Sequence, residues 1–133
     1  MTTLAHGANF EIVVEGSFVR CRVMNSDSVT REEGARCAEL MRSVLREQVL
    51  VPGSPYSGLV FDVRQGPEVF GPVTRGMLEG IFQAAEGAKK RLAVRIGSAA
   101  MQRLQFSNLC RECAPKESKI VESDVDEAAW ARR

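Results

Sequence analysis

The chain has 133 residues, of which 44% are hydrophobic and 26% are charged, so a single globular domain is expected and extensive disorder is not. Its 18 basic and 17 acidic side chains give a net charge of +1, which provides no basic excess for a nucleic-acid partner. No apolar run reaches the ~20 residues needed to span a bilayer, and the first residues lack the basic and apolar regions of a signal peptide. We therefore expect a cytoplasmic protein.

The first predicted element is a β-hairpin that follows a flexible N-terminal tail at residues 1–9 and opens a single domain at residues 10–133. Apolar and polar residues alternate on both sides of a two-residue turn at Gly16-Ser17. This turn predicts three apolar cross-strand pairs, which are Phe10 with Val23, Ile12 with Cys21 and Val14 with Val19. On the other face Glu11 lies across from Arg22. A slip of one residue would reverse the faces, so the alternation specifies the register.

A helix and a buried strand are predicted next. Thr30 is followed three residues later by Glu33, which is the pattern of a capping box, and the helix ends before Pro52. Its predicted apolar stripe comprises Cys37, Leu40, Met41, Val44 and Leu45. A strand at residues 59–63 is apolar on most positions, and a second helix begins at Pro72, where the missing N–H costs no helical hydrogen bond.

The second half continues the alternation of strands and helices. A strand at residues 92–96 precedes a third helix, in which Met101 and Leu104 are predicted to face inward and a bend is expected near Ser107-Asn108. A short strand around residues 119–122 and a helix capped by Asp124 complete the chain. Because the strands at 59–63 and 92–96 are joined through a helix, they are expected to be parallel. The predicted fold is α/β, with a mixed sheet of about five strands and four helices in the order ββαβαβαβα.

This order of elements resembles the STAS domain, the fold of the anti-sigma-factor antagonists. The strand Val60-Phe-Asp-Val-Arg64 is similar to the hydrophobic-Asp-hydrophobic strand that precedes the regulatory loop of that family. The run Lys90-Arg-Leu-Ala-Val-Arg-Ile-Gly-Ser98 and the ending Glu122-Ser-Asp-Val-Asp-Glu-Ala-Ala-Trp130 resemble a divergent, STAS-like branch that is also likened to CRAL-TRIO domains. The resemblance implies a signalling role, with a regulatory kinase or a sigma-factor regulator as the protein partner.

The chain departs from the STAS pattern where the family carries an Asp-Ser pair whose serine is phosphorylated. Aligning Asp62 with the family's strand aspartate places Phe70 and Gly71 at those two positions, and a glycine cannot accept a phosphate. The nearest hydroxyl is that of Thr74. We therefore expect a non-catalytic regulatory domain that binds a protein partner without phosphorylation at the usual position. The predicted partner-binding residues are Arg64, Val69, Phe70, Gly71, Pro72 and Thr74.

Two features of the predicted partner surface have alternative interpretations. Val69 and Phe70 either anchor a partner or fold back onto the core. Gly76 and Gly80 lie one turn apart on the second helix, where each costs about 1 kcal/mol relative to alanine. They either allow close packing within the fold or present a flat surface to a partner, and either this helix or a free strand edge could support a homodimer.

Other chemistry is predicted less strongly. Cys110 and Cys113 form a CxxC motif, but it falls late in a helix, where the dipole does not lower a thiol pKa, and no cofactor or metal is expected. His6 has no positioned partner, and Asp62 is expected to accept backbone hydrogen bonds at its strand end. Thiol-redox or metal chemistry at the two cysteines remains an alternative function. A second alternative is a small-ligand or lipid-binding module, suggested by the CRAL-TRIO likeness and by the adaptable side chains of Met24, Met41, Met77 and Met101.

Overall fold

The fold was analysed in a computed structural model, which describes residues 2–24, 29–67, 71–113 and 118–131. The strands are β1 (Thr2–Gly7), β2 (Phe10–Glu15), β3 (Phe18–Met24), β4 (Gly58–Gln65), β5 (Arg91–Arg95) and β6 (Lys119–Val121). The helices are α1 (Arg31–Val44), α2 (Pro72–Ala88), α3 (Ala100–Cys113) and α4 (Asp124–Ala131), and a π-helical turn at Leu45–Val49 extends α1. The strands form one sheet in chain order, antiparallel from β1 to β3 and parallel from β3 to β6. The predicted mixed α/β fold with four helices is confirmed.

The hairpin of β2 and β3 has the predicted register. Its three apolar pairs are aligned as expected, Glu11 lies opposite Arg22 with their side-chain atoms 3.1 Å apart, and Gly16 takes a positive φ of 65° in the turn. The α1 capping box is also present, because the Thr30 hydroxyl accepts a hydrogen bond from the backbone N–H of Glu33 at 3.1 Å. These two local patterns were sufficient to predict their elements.

The predicted N-terminal tail is corrected by β1, which makes six strands rather than about five. Thr2–Gly7 pair with β2, and a register shift between Thr3 and Ala5 marks a bulge. The side chains of Leu4 and Ala5 pack against the main core. At Gly7 the absence of a side chain matters, because an added Cβ would overlap the ring of Phe10. Residues 2–7 have little strand pattern of their own, and they form β1 because β2 has a free edge and the core accepts Leu4 and Ala5.

Two different layers cover the two faces of the sheet. Helices α1, α2 and α3 cover one face and enclose the main apolar core, in which Leu59, Phe61 and Val94 are at most 1% exposed. The other face carries a smaller cluster in which Val60, Ala93, Val121 and Trp130 pack together with Phe18. Trp130 belongs to α4, so α4 covers part of the second face. No helix within the described ranges is long and apolar enough to cross a membrane.

Helix α3 differs from its predicted packing. It runs without a break from Ala100 to Cys113, and Met101 and Leu104, which were predicted to face inward, are 51% and 53% exposed. The buried residues of α3 are Gln102, Phe106 and Leu109. The first buried position of α3 is occupied by the polar Gln102, so the sequence pattern assigned the buried face to the neighbouring apolar residues instead. In α1 the predicted stripe is buried except for Leu40, which is 46% exposed.

Candidate functional site

The candidate site lies at the carboxyl end of β4 and at the start of α2. Strands β4 and β5 are parallel, with Leu59 opposite Leu92 and Phe61 opposite Val94, as the sequence predicted. The carboxyl ends of both strands therefore reach the same edge of the sheet, which is where α/β folds commonly bind ligands and partners.

Asp62 is buried at this end of β4, with 1% of its surface exposed. It accepts a hydrogen bond from the backbone N–H of Arg64 at 3.2 Å, which confirms the predicted backbone contact. It also accepts hydrogen bonds from the Arg64 guanidinium at 3.0 and 2.7 Å and from Arg20 at 3.0 Å. Burial alone would raise the pKa of Asp62, but the hydrogen bonds and charge of Arg64, with the charge of Arg20, outweigh it and lower the pKa below its usual value. Asp62 is therefore a carboxylate at neutral pH.

Arg20 connects Asp62 to α4 across the second face of the sheet. Its guanidinium lies 2.9 Å from Glu15, 3.0 Å from Asp62 and 2.6 Å from Glu127 of α4. Burial would lower the pKa of Arg20, but hydrogen bonds and charge from Glu127 and Glu15 outweigh it and raise the pKa. This buried charge network was not predicted from the sequence. Its only signal in the sequence is that charged residues, such as Arg20 in β3 and Asp62 in β4, occur among the apolar residues of these strands.

The predicted partner-binding residues are placed as follows. Arg64 has a side chain that is 40% exposed, although its guanidinium is held against Asp62. Gly71, Pro72 and Thr74 are exposed at the first turn of α2, with Pro72 in its predicted place at the helix start. The remaining two predicted residues, Val69 and Phe70, lie outside the described residues.

Gln102 connects the loops at this edge of the sheet, although its surface is only 2% exposed. Its side-chain amide donates to the carbonyl oxygens of Val63 at 2.8 Å and Pro67 at 3.2 Å, and its side-chain oxygen accepts from the backbone N–H of Gly97 at 2.9 Å. One buried amide therefore joins α3 to the loops that follow β4 and β5. The role of Gln102 was not predicted from the sequence.

The outer face of α2 continues from the predicted partner-binding residues. Gly76, Gly80 and Gly87 follow this face of the helix at intervals of four and seven residues, and Gln83 is exposed between them. A Cβ atom added at any of the three glycines would have no heavy atom of the described chain within 4 Å beyond its immediate neighbours and the helix backbone. Of the two interpretations of Gly76 and Gly80, close packing against the described part of the chain is therefore wrong.

The two alternative functions gain no support from the geometry. The CxxC motif occupies the last turn of α3, and burial raises the pKa of Cys110 to about 12. Burial and the nearby charges of Glu79 and Glu112 also raise the pKa of Cys113. Both thiols are therefore protonated at neutral pH. Among the described residues, no group of three or more His, Cys, Asp or Glu side chains is arranged to hold a metal ion.

The methionines that suggested a ligand pocket do not share one environment. Met41 is buried in the main core at 4% exposure, and Met77 packs against that core while partly buried. Met24 is also partly buried, at the end of β3, whereas Met101 is half exposed on α3. These positions are those of ordinary core and surface residues.

Comparison with known proteins provides a fold and no family. No family model matches the chain, and no curated protein matches it. Among solved structures, the chain is similar to the protein TM1081, whose structure was determined by NMR, with a TM-score of 0.60 and 16% sequence identity. The similarity covers 100% of this chain and 96% of that chain. At this identity the similarity shows the fold alone, and it agrees with a single α/β domain built on a mixed sheet.

Proposed function

We propose that the chain is a non-catalytic, STAS-like regulatory domain that binds a protein partner through the β4–α2 loop and the outer face of α2. We refer to Arg64, Gly71, Pro72, Thr74, Gly76, Gly80, Gln83 and Gly87 as the α2 surface. The observation that carries the proposal is the row of three glycines at which an added side chain would meet no packing contact from the described residues. Each glycine destabilises the helix by roughly 0.5 to 1 kcal/mol relative to alanine. A partner that approaches the helix backbone closely would account for them.

The position of the surface supports the same interpretation. It begins at the carboxyl end of a parallel strand, where the surrounding loops are held by Gln102. A partner would therefore meet a preorganised edge and lose less conformational entropy on binding. By its resemblance to the STAS family, the expected partner is a regulatory kinase or a sigma-factor regulator.

The proposed domain differs from phosphorylated STAS antagonists in how its binding is controlled. Gly71 occupies the position that corresponds to the family's serine, and it lies exposed at the N-cap of α2. Thr74 is exposed within the first turn. We propose that binding is not switched by phosphorylation at position 71, so incubation of a Thr74→Ala variant with a partner kinase and ATP should leave the affinity of that variant unchanged.

The test compares two matched glutamine variants. A photo-crosslinking amino acid at position 83 would first identify the partner, with any kinase or sigma-factor regulator encoded beside this gene as the first candidate. The purified partner would then be titrated calorimetrically against the wild type, Gln83→Arg and Gln48→Arg. Both glutamines are exposed, but Gln48 lies in the turn that extends α1 and outside the α2 surface.

We expect Gln83→Arg to weaken binding about tenfold or more, which corresponds to ~1.4 kcal/mol. Gln48→Arg should bind like the wild type, because it adds the same charge elsewhere. Equal affinities for all three proteins would exclude the α2 surface as the binding site.

A further inference from the structure

A second surface is indicated by the way α4 lies on the sheet. Helix α4 has eight residues, and helices shorter than ~12 residues are marginal in isolation. Trp130 is its one buried residue within the described chain. The docking of α4 therefore depends on this indole and on charges, rather than on a continuous apolar stripe.

The sheet beneath α4 is apolar at its centre and is bordered by arginines, of which Arg20 also pairs with Glu15 and Asp62 on the same face. Phe18, Val60, Ala93 and Val121 surround the indole, and the Phe18 and Trp130 ring centroids are 4.7 Å apart. Three arginines on the same face complete this surface: Arg20, Arg91 and Arg95. We refer to these seven residues as the α4 groove.

Helix α4 places acidic side chains and an aromatic ring against the α4 groove. Its first turn carries Asp124, Asp126 and Glu127, and Glu127 pairs with Arg20 at 2.6 Å. The guanidinium carbon of Arg91 lies 4.5 Å from the centroid of the Trp130 ring. Glu127 and Trp130 are three residues apart, so they project from the same side of the helix. The groove therefore recognises a carboxylate and an aromatic ring one helical turn apart.

The fit of α4 is incomplete. Arg95 is 6% exposed, and its Nε and Nη1 atoms are buried without a hydrogen-bond partner in the described part of the chain. Its Nη1 lies 3.0 Å from Asp124 and 3.6 Å from Glu127, close enough for ion pairing, but neither contact has hydrogen-bond geometry. Glu127 Oε1 and Trp130 Nε1 are likewise buried without a partner. Unsatisfied buried polar atoms cost free energy, so α4 is held less firmly than its burial suggests.

We propose that the α4 groove is a docking surface for an acidic helix of a partner protein that carries an aromatic residue one turn after a carboxylate, and that α4 is its intramolecular occupant. Charge complementarity argues for such a helix, because the acidic first turn of α4 places Glu127 against Arg20 and both Asp124 and Glu127 beside Arg95. The Nη1 atom of Arg95 already lies beside Asp124 and Glu127, but its buried Nε has no hydrogen-bond partner in the described chain and leaves capacity for a further carboxylate. The helical part of the α2 surface lies on the opposite face of the sheet, whereas Arg64 reaches the groove through Asp62, which also binds Arg20.

The test uses the full chain and a fluorescein-labelled peptide with the sequence of residues 122–133. The peptide would be titrated against the wild type, Glu127→Arg and the control Glu47→Arg, with fluorescence anisotropy as the readout. Glu127→Arg places a cation against Arg20 and Arg95 and should release α4. Glu47 is the control because it is exposed in the turn that extends α1, on the other side of the sheet from α4. We expect the peptide to bind Glu127→Arg about tenfold more tightly than the other two proteins, because α4 no longer competes at high effective concentration. A peptide with Trp130→Ala should not bind.

Hydrogen exchange on the wild type provides a second measurement that does not depend on a variant. Amides of Asp124–Ala131 should exchange faster than those of α1 and α3. Exchange of α4 together with those helices would overturn the proposal, as would a folded Glu127→Arg protein that binds the peptide no better than the wild type. If Glu127→Arg formed a dimer by exchanging α4 between two copies, the occupant of the groove would be a second copy of this chain, and the proposal of a partner helix would also be overturned.

Discussion

The glycines of α2 lead to a prediction in which stability and binding change in opposite directions. Replacing Gly76, Gly80 and Gly87 together by alanine should stabilise the isolated protein. Each added methyl group enters open space, so no clash offsets the gain in helix propensity. At roughly 0.5 to 1 kcal/mol per site, the free energy of unfolding should increase by about 1.5 to 3 kcal/mol. For a chain of this length, 1 kcal/mol corresponds to a Tm shift of about 3 °C, so Tm should rise by about 5 to 9 °C.

Thermal and urea unfolding, followed by circular dichroism, measure this effect. Gly58→Ala is the control, because its Cβ would lie 2.6 Å from the backbone carbonyl oxygen of Arg91. The same change of residue should therefore destabilise the protein at position 58 and stabilise it on α2. A triple variant that unfolds at the wild-type temperature or below it would show that the fold requires these glycines, and the reasoning behind the α2 surface would fail.

The same triple variant separates a binding role from a structural one. Three methyl groups on the outer face of α2 would hold a partner's backbone away from the helix. We expect the affinity for the crosslinked partner to fall about tenfold or more while stability rises. A loss of binding that results from unfolding cannot produce this combination. Undiminished affinity would exclude the glycine row from the interface.

Three further predictions concern buried polar groups. Asp62→Asn should lower the free energy of unfolding by about 2 to 4 kcal/mol in urea titrations at pH 7. This value is near the lower end for broken buried ion pairs, because Arg20 still pairs with Glu15 and Glu127. Folding lowers the pKa of Asp62, so the stability that its charge contributes is fully present above the unfolded pKa of ~3.9 and is lost as pH falls through the folded pKa. The difference in unfolding free energy between wild type and Asp62→Asn should therefore narrow below about pH 4. Cys110 should react with iodoacetamide at pH 7 far more slowly in the folded protein than in urea, since its pKa is raised to about 12; equal rates would contradict its burial. Gln102→Leu should destabilise the protein by about 2 kcal/mol and speed amide exchange at Gly97, and unchanged exchange there would refute its role in joining the loops.

The elements that could be predicted from the sequence are those with a local or repetitive signal. The β2–β3 register follows from a two-residue turn and an alternation with a single solution that keeps Phe10, Ile12 and Val14 on one face. The parallel pairing of β4 and β5 follows from the helix between them and from the handedness of such connections. Neither inference needed to know which distant residue contacts which.

The elements that were missed depend on tertiary contacts. Strand β1 contains Thr2, Thr3 and His6, which have no clear alternation, and it forms because β2 offers a free edge and the core accepts Leu4. In α3 the buried position next to Met101 is occupied by Gln102, whose amide is satisfied by backbone groups of two other loops. A pattern of apolar residues cannot reveal a buried polar side chain whose partners lie elsewhere in the chain.

The charged face of the sheet shows why the candidate sites were only partly predictable. An apolar side chain is stabilised by almost any apolar neighbour, so a stripe on a strand is enough to assign its face to the core. A buried charge needs a particular partner, and Arg20 finds its partners 42 and 107 residues away, in Asp62 and Glu127. The register across β3 and β4 must be known before that pairing can be recognised. Once it is known, the opposing charges at alternate positions of neighbouring strands account for the burial of Asp62 and for the attachment of α4. The glycines of α2 needed a different kind of information, because they were visible in the sequence and only the open space around them in the described chain argues against close packing.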